Sequence, residues 1–322
     1  MKRRSPMGKS RYLVLLALLG LISCSASTSD LLHKVGNSSW GVAYDVYVAD
    51  GYAYVTGNKG VRIYDVREPA KPKGVGEIPM GEAAFGVYVI DGLAYVAGGG
   101  QGLIIADVGD PANPIKLGEY RDGGVTHQVH VDGSYAYLAE GEDGLEILDV
   151  SEPSAPVKVA GLDDGGRGVG ILVKDGIVYL ADADSGLEIV DVTDPFSPHK
   201  LETVPGTRGA WDVSVHGEVV YVGCHGGGVR IIEPEGGSHR AVGRFLDGGE
   251  AVGVWGDGTY LYVADNQEGV EVLEVSDPAG PVKVAEYGRL NGAHSLFFDG
   301  EFIYVADGGK GLVVLEFGRE RE

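Results

Sequence analysis

Between residues 31 and 317 the chain consists of short apolar runs rich in Val, Ile, Leu and Tyr, each broken by Gly, Asp or Pro. No stretch there keeps the three-and-four spacing of an amphipathic helix, so the runs predict strands. The runs also repeat. A tyrosine followed by Val or Leu stands at Tyr54, Tyr95, Tyr137, Tyr179, Tyr221, Tyr262 and Tyr304, with spacings of 41 or 42 residues. An acid keeps the same register (Asp65, Asp107, Asp149, Asp191, Glu233, Glu274, Glu316), and so does a turn glycine (Gly51, Gly92, Gly133, Gly176, Gly217, Gly258, Gly300).

The third unit shows what one period contains. Gln128 to Val131 reads as strand A, Asp132-Gly133 as a two-residue type I′ hairpin turn, and Tyr135 to Ala139 as strand B. Strand C is Leu145 to Val150, and a Pro-bounded turn from Glu152 to Pro156 leads into strand D, Val157 to Ala160. A unit of about 42 residues with four strands has the size of a propeller blade. The seventh unit ends at Phe317 without a strand D, while His33-Lys34-Val35-Gly36 matches Ile115-Lys116-Leu117-Gly118, the strand D of the second unit. The expected fold is therefore all-β: a seven-bladed β-propeller over residues 31–317, with four-stranded antiparallel blades and the N-terminal strand completing the last blade.

Gly186 to Val192, followed by Thr193-Asp194-Pro195, resembles the LVIVD repeat of bacterial and archaeal surface proteins, with echoes at Gly60 to Pro69, Gly102 to Pro111, Gly144 to Pro153 and Gly269 to Pro278. The resemblance implies a surface-exposed propeller whose biochemical activity is generally undefined. The fifth unit departs from it, because Ile231-Ile232-Glu233-Pro234 lacks the Asp-Pro turn and His216 replaces the turn aspartate, so its outer loop is expected to differ.

Composition narrows the class further. The formal charge of −21 repels phosphate backbones and argues against a nucleic-acid partner. The first 23 residues carry five Lys or Arg and no acid, followed by the apolar run Leu13 to Ile22 and then Ser23-Cys24. This is the pattern of a secretory signal, too short for a comfortable permanent span. Leu21-Ile22-Ser23-Cys24 resembles a lipobox, which would make Cys24 the lipidated first residue of the mature protein; ordinary cleavage nearby is the alternative. The start is Met1 or Met7. The expected organisation is a lipoprotein-type signal peptide at 1–23, a tether at 24–30, the propeller, and a charged tail at 318–322. With Cys24 lipidated, Cys224 stands alone and no disulfide is available.

Residues needed once in every blade are read as structural: the tyrosines as core between blades, the acids as acceptors that fix the turn after strand C. Function is sought where the blades differ. The start of strand A varies most, as Tyr44-Asp45, Phe85-Gly86, His127-Gln128, Val169-Gly170, Trp211-Asp212, Val252-Gly253 and His294-Ser295. The candidate ligand-binding residues are Tyr44, Asp45, His127, Gln128, Arg167, Arg208, Trp211, Asp212, His294 and Ser295, the two arginines lying in loops that lead into strands A. The B-to-C loops bring acids such as Glu140, Asp143, Asp182, Asp265 and Asp307, with Cys224 and His225, to the same end. They read as a solvated acidic face, and Cys224 as a buried thiol. No phosphate loop, nucleophile elbow or paired-cysteine zinc spacing is present in the sequence, and no catalytic residue, metal ligand or cofactor is assigned.

The expected function is that of an exported, lipid-anchored, non-catalytic module that binds a protein or glycan partner at the cell envelope and meets the membrane only through its lipid. Two alternatives stand beside it. One is a lyase or hydrolase using His127, His294 and Asp212 with the nearby arginines; the other is a structural spacer in a surface assembly.

Overall fold

The computed structural model describes residues 31–163 and 165–318. The expected signal peptide, the lipidation point Cys24, the tether and residues 319–322 of the tail lie outside the described residues. Within them the chain forms 28 strands, numbered β1 to β28 in order, in seven four-stranded sheets with no helix. Blades 1 to 6 are β2–β5 (residues 43–79), β6–β9 (86–120), β10–β13 (128–162), β14–β17 (168–203), β18–β21 (212–245) and β22–β25 (251–287). Each is an antiparallel meander in sequence order.

Blade 7 is built from both ends of the described chain. Its inner strands are β26 (Ala293–Phe298), β27 (Phe302–Asp307) and β28 (Gly311–Phe317), and its outer strand is β1 (Leu32–Ser38), antiparallel to β28 with Leu32 opposite Phe317. Without β1, β28 would present a row of unpaired N–H and C=O groups. Leu32 is buried in the apolar cluster shared by blades 6 and 7, so the closing strand is held by packing as well as by its ladder.

Seven such clusters fill the spaces between neighbouring blades, including one between blades 7 and 1. The repeated tyrosines lie in them: Tyr54, Tyr95, Tyr137, Tyr221, Tyr262 and Tyr304 are buried and Tyr179 half-buried. The four repeated aspartates and Glu274 act as expected. Asp107, Asp149 and Asp191 each accept the backbone N–H two residues on, at 2.8–2.9 Å, and Asp65 does so at 3.1 Å. Arg67, bonded to Asp65 through side chain and backbone, holds that carboxyl down at about 2.

Three of the seven A-to-B turns have the type I′ form. Asp50-Gly51, Asp91-Gly92 and Asp175-Gly176 have positive φ at both residues, as a type I′ turn requires. The Asp132-Gly133 turn does not. Asp132 pairs with Tyr135 in the ladder, which makes Gly133-Ser134 the loop, with positive φ at Gly133 only, the type II′ pattern. Blade 5 does the same, with Gly217-Glu218 as its loop and positive φ at Gly217 only. In the fifth blade, Gly236-Gly237, both at positive φ, join strands C and D by a two-residue turn in place of the Asp-Pro loop.

Replacing Leu32 by alanine should lower the unfolding free energy by about 2–5 kcal/mol, as for a buried leucine elsewhere. His33→Ala, exposed one residue later, should change it by less than about 0.5 kcal/mol. Urea midpoints of the two variants check this, and equal shifts would show that packing of β1 does not hold the ring.

Candidate functional site

The innermost strand of each blade lines the central channel: β2 (Ala43–Ala49), β6 (Gly86–Ile90), β10 (Gln128–Asp132), β14 (Gly168–Lys174), β18 (Asp212–His216), β22 (Ala251–Gly256) and β26. Consecutive strand residues ordinarily point to opposite faces. Here both residues of the starting pair reach the mouth in blades 1, 3, 4, 5 and 7, and the first residue does so in blades 2 and 6, for two reasons. In blades 1, 4, 6 and 7 the register of strand A shifts at its start, between Ala43 and Val46 in blade 1, and such a bulge re-aims the side chains. In blades 2, 3 and 5 the first residue of the pair precedes the strand and is tied by its N–H to the end of strand B: Phe85 to Ala97, His127 to Ala139 and Trp211 to Gly223.

These starts surround one cavity of about 370 Å³. Tyr44, Asp45, His127, Gln128, Trp211, Asp212, His294 and Ser295 all line it, joined by Phe85, Val169, Gly170, His225, Val252 and Asn266. Its wall is aromatic. His294 stacks on Tyr44 with ring centres 5.8 Å apart, Tyr44 meets Phe85 at 5.4 Å, and Phe85 meets His127 at 5.7 Å. Across the mouth Trp211 packs on His225 at 5.6 Å, and the Arg167 guanidinium lies 5.8 Å from the Trp211 ring. Arg167 and Arg208 are exposed on the loops before β14 and β18, and neither lines the cavity.

The floor is polar and follows a rule of alternation. Blades 2, 4 and 6 place Gly86, Gly170 and Gly253 at the second position of the pair, whereas blades 1, 3, 5 and 7 place Asp45, Gln128, Asp212 and Ser295. The glycines let the neighbouring blade close in: a Cβ on Gly86 would stand 2.2 Å from Gln128 Oε1, and one on Gly170 would stand 2.5 Å from the Trp211 carbonyl oxygen. Seven blades cannot alternate completely, so two polar residues must be neighbours. Ser295 and Asp45 are that pair, and the serine hydroxyl donates to Asp45 Oδ1 at 2.6 Å. Asp45 Oδ2 also accepts from the Val87 N–H at 3.0 Å and Gln128 Nε2 at 3.1 Å, which ties blades 7, 1, 2 and 3 through one carboxylate. Asp212 does the same toward blade 6, accepting the Val254 N–H at 2.8 Å.

Below this floor the channel continues as a second cavity of about 570 Å³ that shares Asp45, Gln128, Asp212 and Ser295 with the first and extends to the A-to-B turns at Asp257 and Asp299. It has its own aromatic arc, with contacts of Trp255 to Phe297 at 4.5 Å, Phe297 to Tyr47 and Tyr47 to Tyr88 at 5.0 Å, and Tyr88 to His130 at 4.4 Å. The four polar residues thus form a partition between two aromatic tiers.

Enclosure sets the protonation of the site. Burial, with a smaller contribution from the charge of Asp45, pushes the Asp212 carboxyl up to about 7 despite the Val254 hydrogen bond. Burial, helped by Arg167, lowers the pKa of His127, which favours its neutral ring, and burial lowers His130 to about 4. Burial also raises the Cys224 thiol to about 11, which makes it a poor nucleophile. His127, His225 and His294 share the cavity, but the only acidic or imidazole set close enough for one ion among the described residues is Asp247, Asp265 and Glu271. Asn266 escaped the reading of strand-A starts because it stands on a B-to-C loop, where its amide donates to Glu250 Oε2 at 3.0 Å.

A family model for the LVIVD repeat matches seven segments, residues 40–78, 81–122, 123–164, 165–204, 207–233, 248–288 and 292–316. The chain belongs to the LVIVD repeat family. The short fifth match stops where the Gly236-Gly237 turn replaces the family's Asp-Pro loop. No curated protein matches the chain in sequence. Among solved structures, it is similar to the Cps50 (Swd1) β-propeller domain of Myceliophteria thermophila, with a TM-score of 0.71 and 11% identity over 89% of this chain and 99% of that one. The Pan2 WD40 domain of Neurospora crassa gives 0.70 and 12% over 90% and 97%, and BamB from Moraxella catarrhalis 0.61 and 13% over 88% and 85%. At such identities the likeness extends to the fold.

The raised Asp212 carboxyl has a consequence for stability. Its folded pKa lies above the unfolded value, so its contribution is complete below about pH 4 and is lost as the pH rises through about 7. Asp212→Asn removes that loss. The difference in unfolding free energy between pH 5 and pH 8 should therefore shrink by about 1–4 kcal/mol in the variant; an unchanged difference in paired urea titrations would show that Asp212 ionises freely.

Proposed function

We propose that this protein is a non-catalytic binding module whose channel mouth receives a hydroxyl-bearing ring, such as the terminal sugar of a glycan. The observation that carries the reading is the convergence of the unlike strand-A starts on one cavity with aromatic walls and a hydrogen-bonding floor. Ring faces of Tyr44, Phe85 and Trp211 supply apolar area at little conformational cost, while Asp45, Asp212, Gln128 and Ser295 supply directed acceptors and donors. The acidic surface disfavours nucleic acid. The basic and then apolar leader with Cys24 supports export and lipid anchoring, which would present the mouth to envelope glycans.

One observation favours a second reading. An Asp212 carboxyl that titrates near pH 7, coupled to Asp45 in the same floor, suits general acid or base catalysis on the bound ring. In that case Asp212→Asn abolishes turnover and leaves ligand affinity within a few-fold.

Binding of a panel of envelope oligosaccharides, followed by calorimetry, tests the proposal. Trp211→Ala should weaken the affinity for the ligand found by about 30-fold, the cost of losing a central aromatic anchor. Failure of every glycan to saturate the protein would overturn the reading, as would a protein partner bound equally by Trp211→Ala, which would move recognition to the outer surface.

A further inference from the structure

One position in each blade lines the lower chamber and varies from blade to blade: the strand-A residue paired with the repeated tyrosine of strand B. In blades 6, 7, 1, 2 and 3 it is Trp255, Phe297, Tyr47, Tyr88 and His130, five rings in unbroken succession around the axis. Blades 4 and 5 place Leu172 and Ser214 there, which leaves that side of the arc open. Rings that only plugged the channel would be fully buried and leave no space. These five are half-buried and border about 570 Å³. Successive ring planes are tilted by 45–62°, so they cannot all turn their edges to the centre, and the wall offers π faces.

Charge points the same way. Four aspartates line this chamber, Asp45 and Asp212 in the partition and Asp257 and Asp299 at the lower exit, and no lysine or arginine does. The exit carboxylates are anchored in their turns: Asp257 accepts the N–H groups of Thr259 and Tyr260, and Asp299 those of Glu301 and Phe302, at 2.7–3.0 Å. Each of the seven A-to-B turns carries an acid, from Asp50 in blade 1 to Asp299 in blade 7. Lys174, on this rim, is tied to the Gly217 carbonyl at 2.6 Å and stays outside the chamber. An acid in a turn is structural by itself. Around an enclosed aromatic wall, the same acids set the sign of what can enter.

We propose that the lower chamber binds a small, free quaternary ammonium solute, at a second ligand site separated from the mouth by the polar partition. Aromatic faces attract a cation most strongly once it has shed its water, and the carboxylates repel anions. A charge spread over methyl groups loses water readily, whereas a primary ammonium would strand its N–H donors against ring surface. The site is independent of what occupies the mouth.

Calorimetry and thermal melting of the full-length protein with choline chloride test the site. Saturable binding with a Kd of about 1 mM or tighter is expected, together with a rise in melting temperature. Ethanolamine, and the neutral isostere in which a tert-butyl group replaces the trimethylammonium, should each bind at least about tenfold more weakly. That comparison needs no variant. Trp255→Leu and Phe297→Leu, which keep an apolar side chain and lose the ring, should each weaken choline at least about fivefold. Absence of any heat or melting shift up to about 10 mM choline would overturn the proposal, as would equal affinity for the neutral isostere. A loss in Trp211→Ala as large as in Trp255→Leu would place the cation at the mouth and overturn it too. Sedimentation of the protein with phosphatidylcholine vesicles, reversed by choline, would assign the group to a lipid headgroup and overturn the free solute.

Discussion

Everything in this structure depends on the absence of a free inner seam in the ring. Six blades are local meanders that fold from contiguous sequence, but each buries its faces only against its neighbours, so the arrangement is stable only when the last blade meets the first. Pairing of β1 with β28 makes that meeting possible, because it joins segments some 280 residues apart into one sheet. The cluster shared by blades 7 and 1 completes the circle of apolar contacts. Loop closure over such a separation is slow, which gives this step a late place in folding.

The closed ring then imposes its own arithmetic on the channel. Strands A come together at the centre, where side chains from seven blades compete for little space, and glycine in every second blade relieves the crowding. The polar residues left between the glycines lie near enough to bond across blades, and Asp45 uses both of its oxygens in doing so. The floor of the candidate site is thus also a structural tie. Its geometry is pre-set before any ligand arrives, which lowers the ordering cost of binding.

Much of this was legible in the sequence, because the fold rests on features that recur. Seven tyrosines and seven acids in register identify blades, and the missing strand D of the last unit points to residues 33–36 as its replacement. The strand-A pairs were also readable as the upper tier of the channel. The lower tier was not: for Tyr47, Trp255 and Phe297 the inward direction depends on where bulges shift the register, and a bulge leaves no reliable mark in the residues themselves. Asn266 and the shifted Gly133-Ser134 turn were obscured for related reasons, one by loop geometry and one by a one-residue choice between turn types. Arg208 shows the converse: a charged residue at the right sequence position whose loop leaves it outside the cavity.

The way the ring closes also governs how it would yield to force. Leu32 lies opposite Phe317, and the Gly318 N–H donates to the Leu31 carbonyl at 2.7 Å, so the two described ends leave the molecule side by side. Tension drawing them apart would fall on that first bond, then on the next, peeling β1 from β28 one pair at a time instead of shearing the whole ladder at once. Heat must melt the packing of every blade together, whereas a pull on the ends meets only the strength of a single rung. The propeller is therefore built as a clasp, collective against temperature and sequential against load.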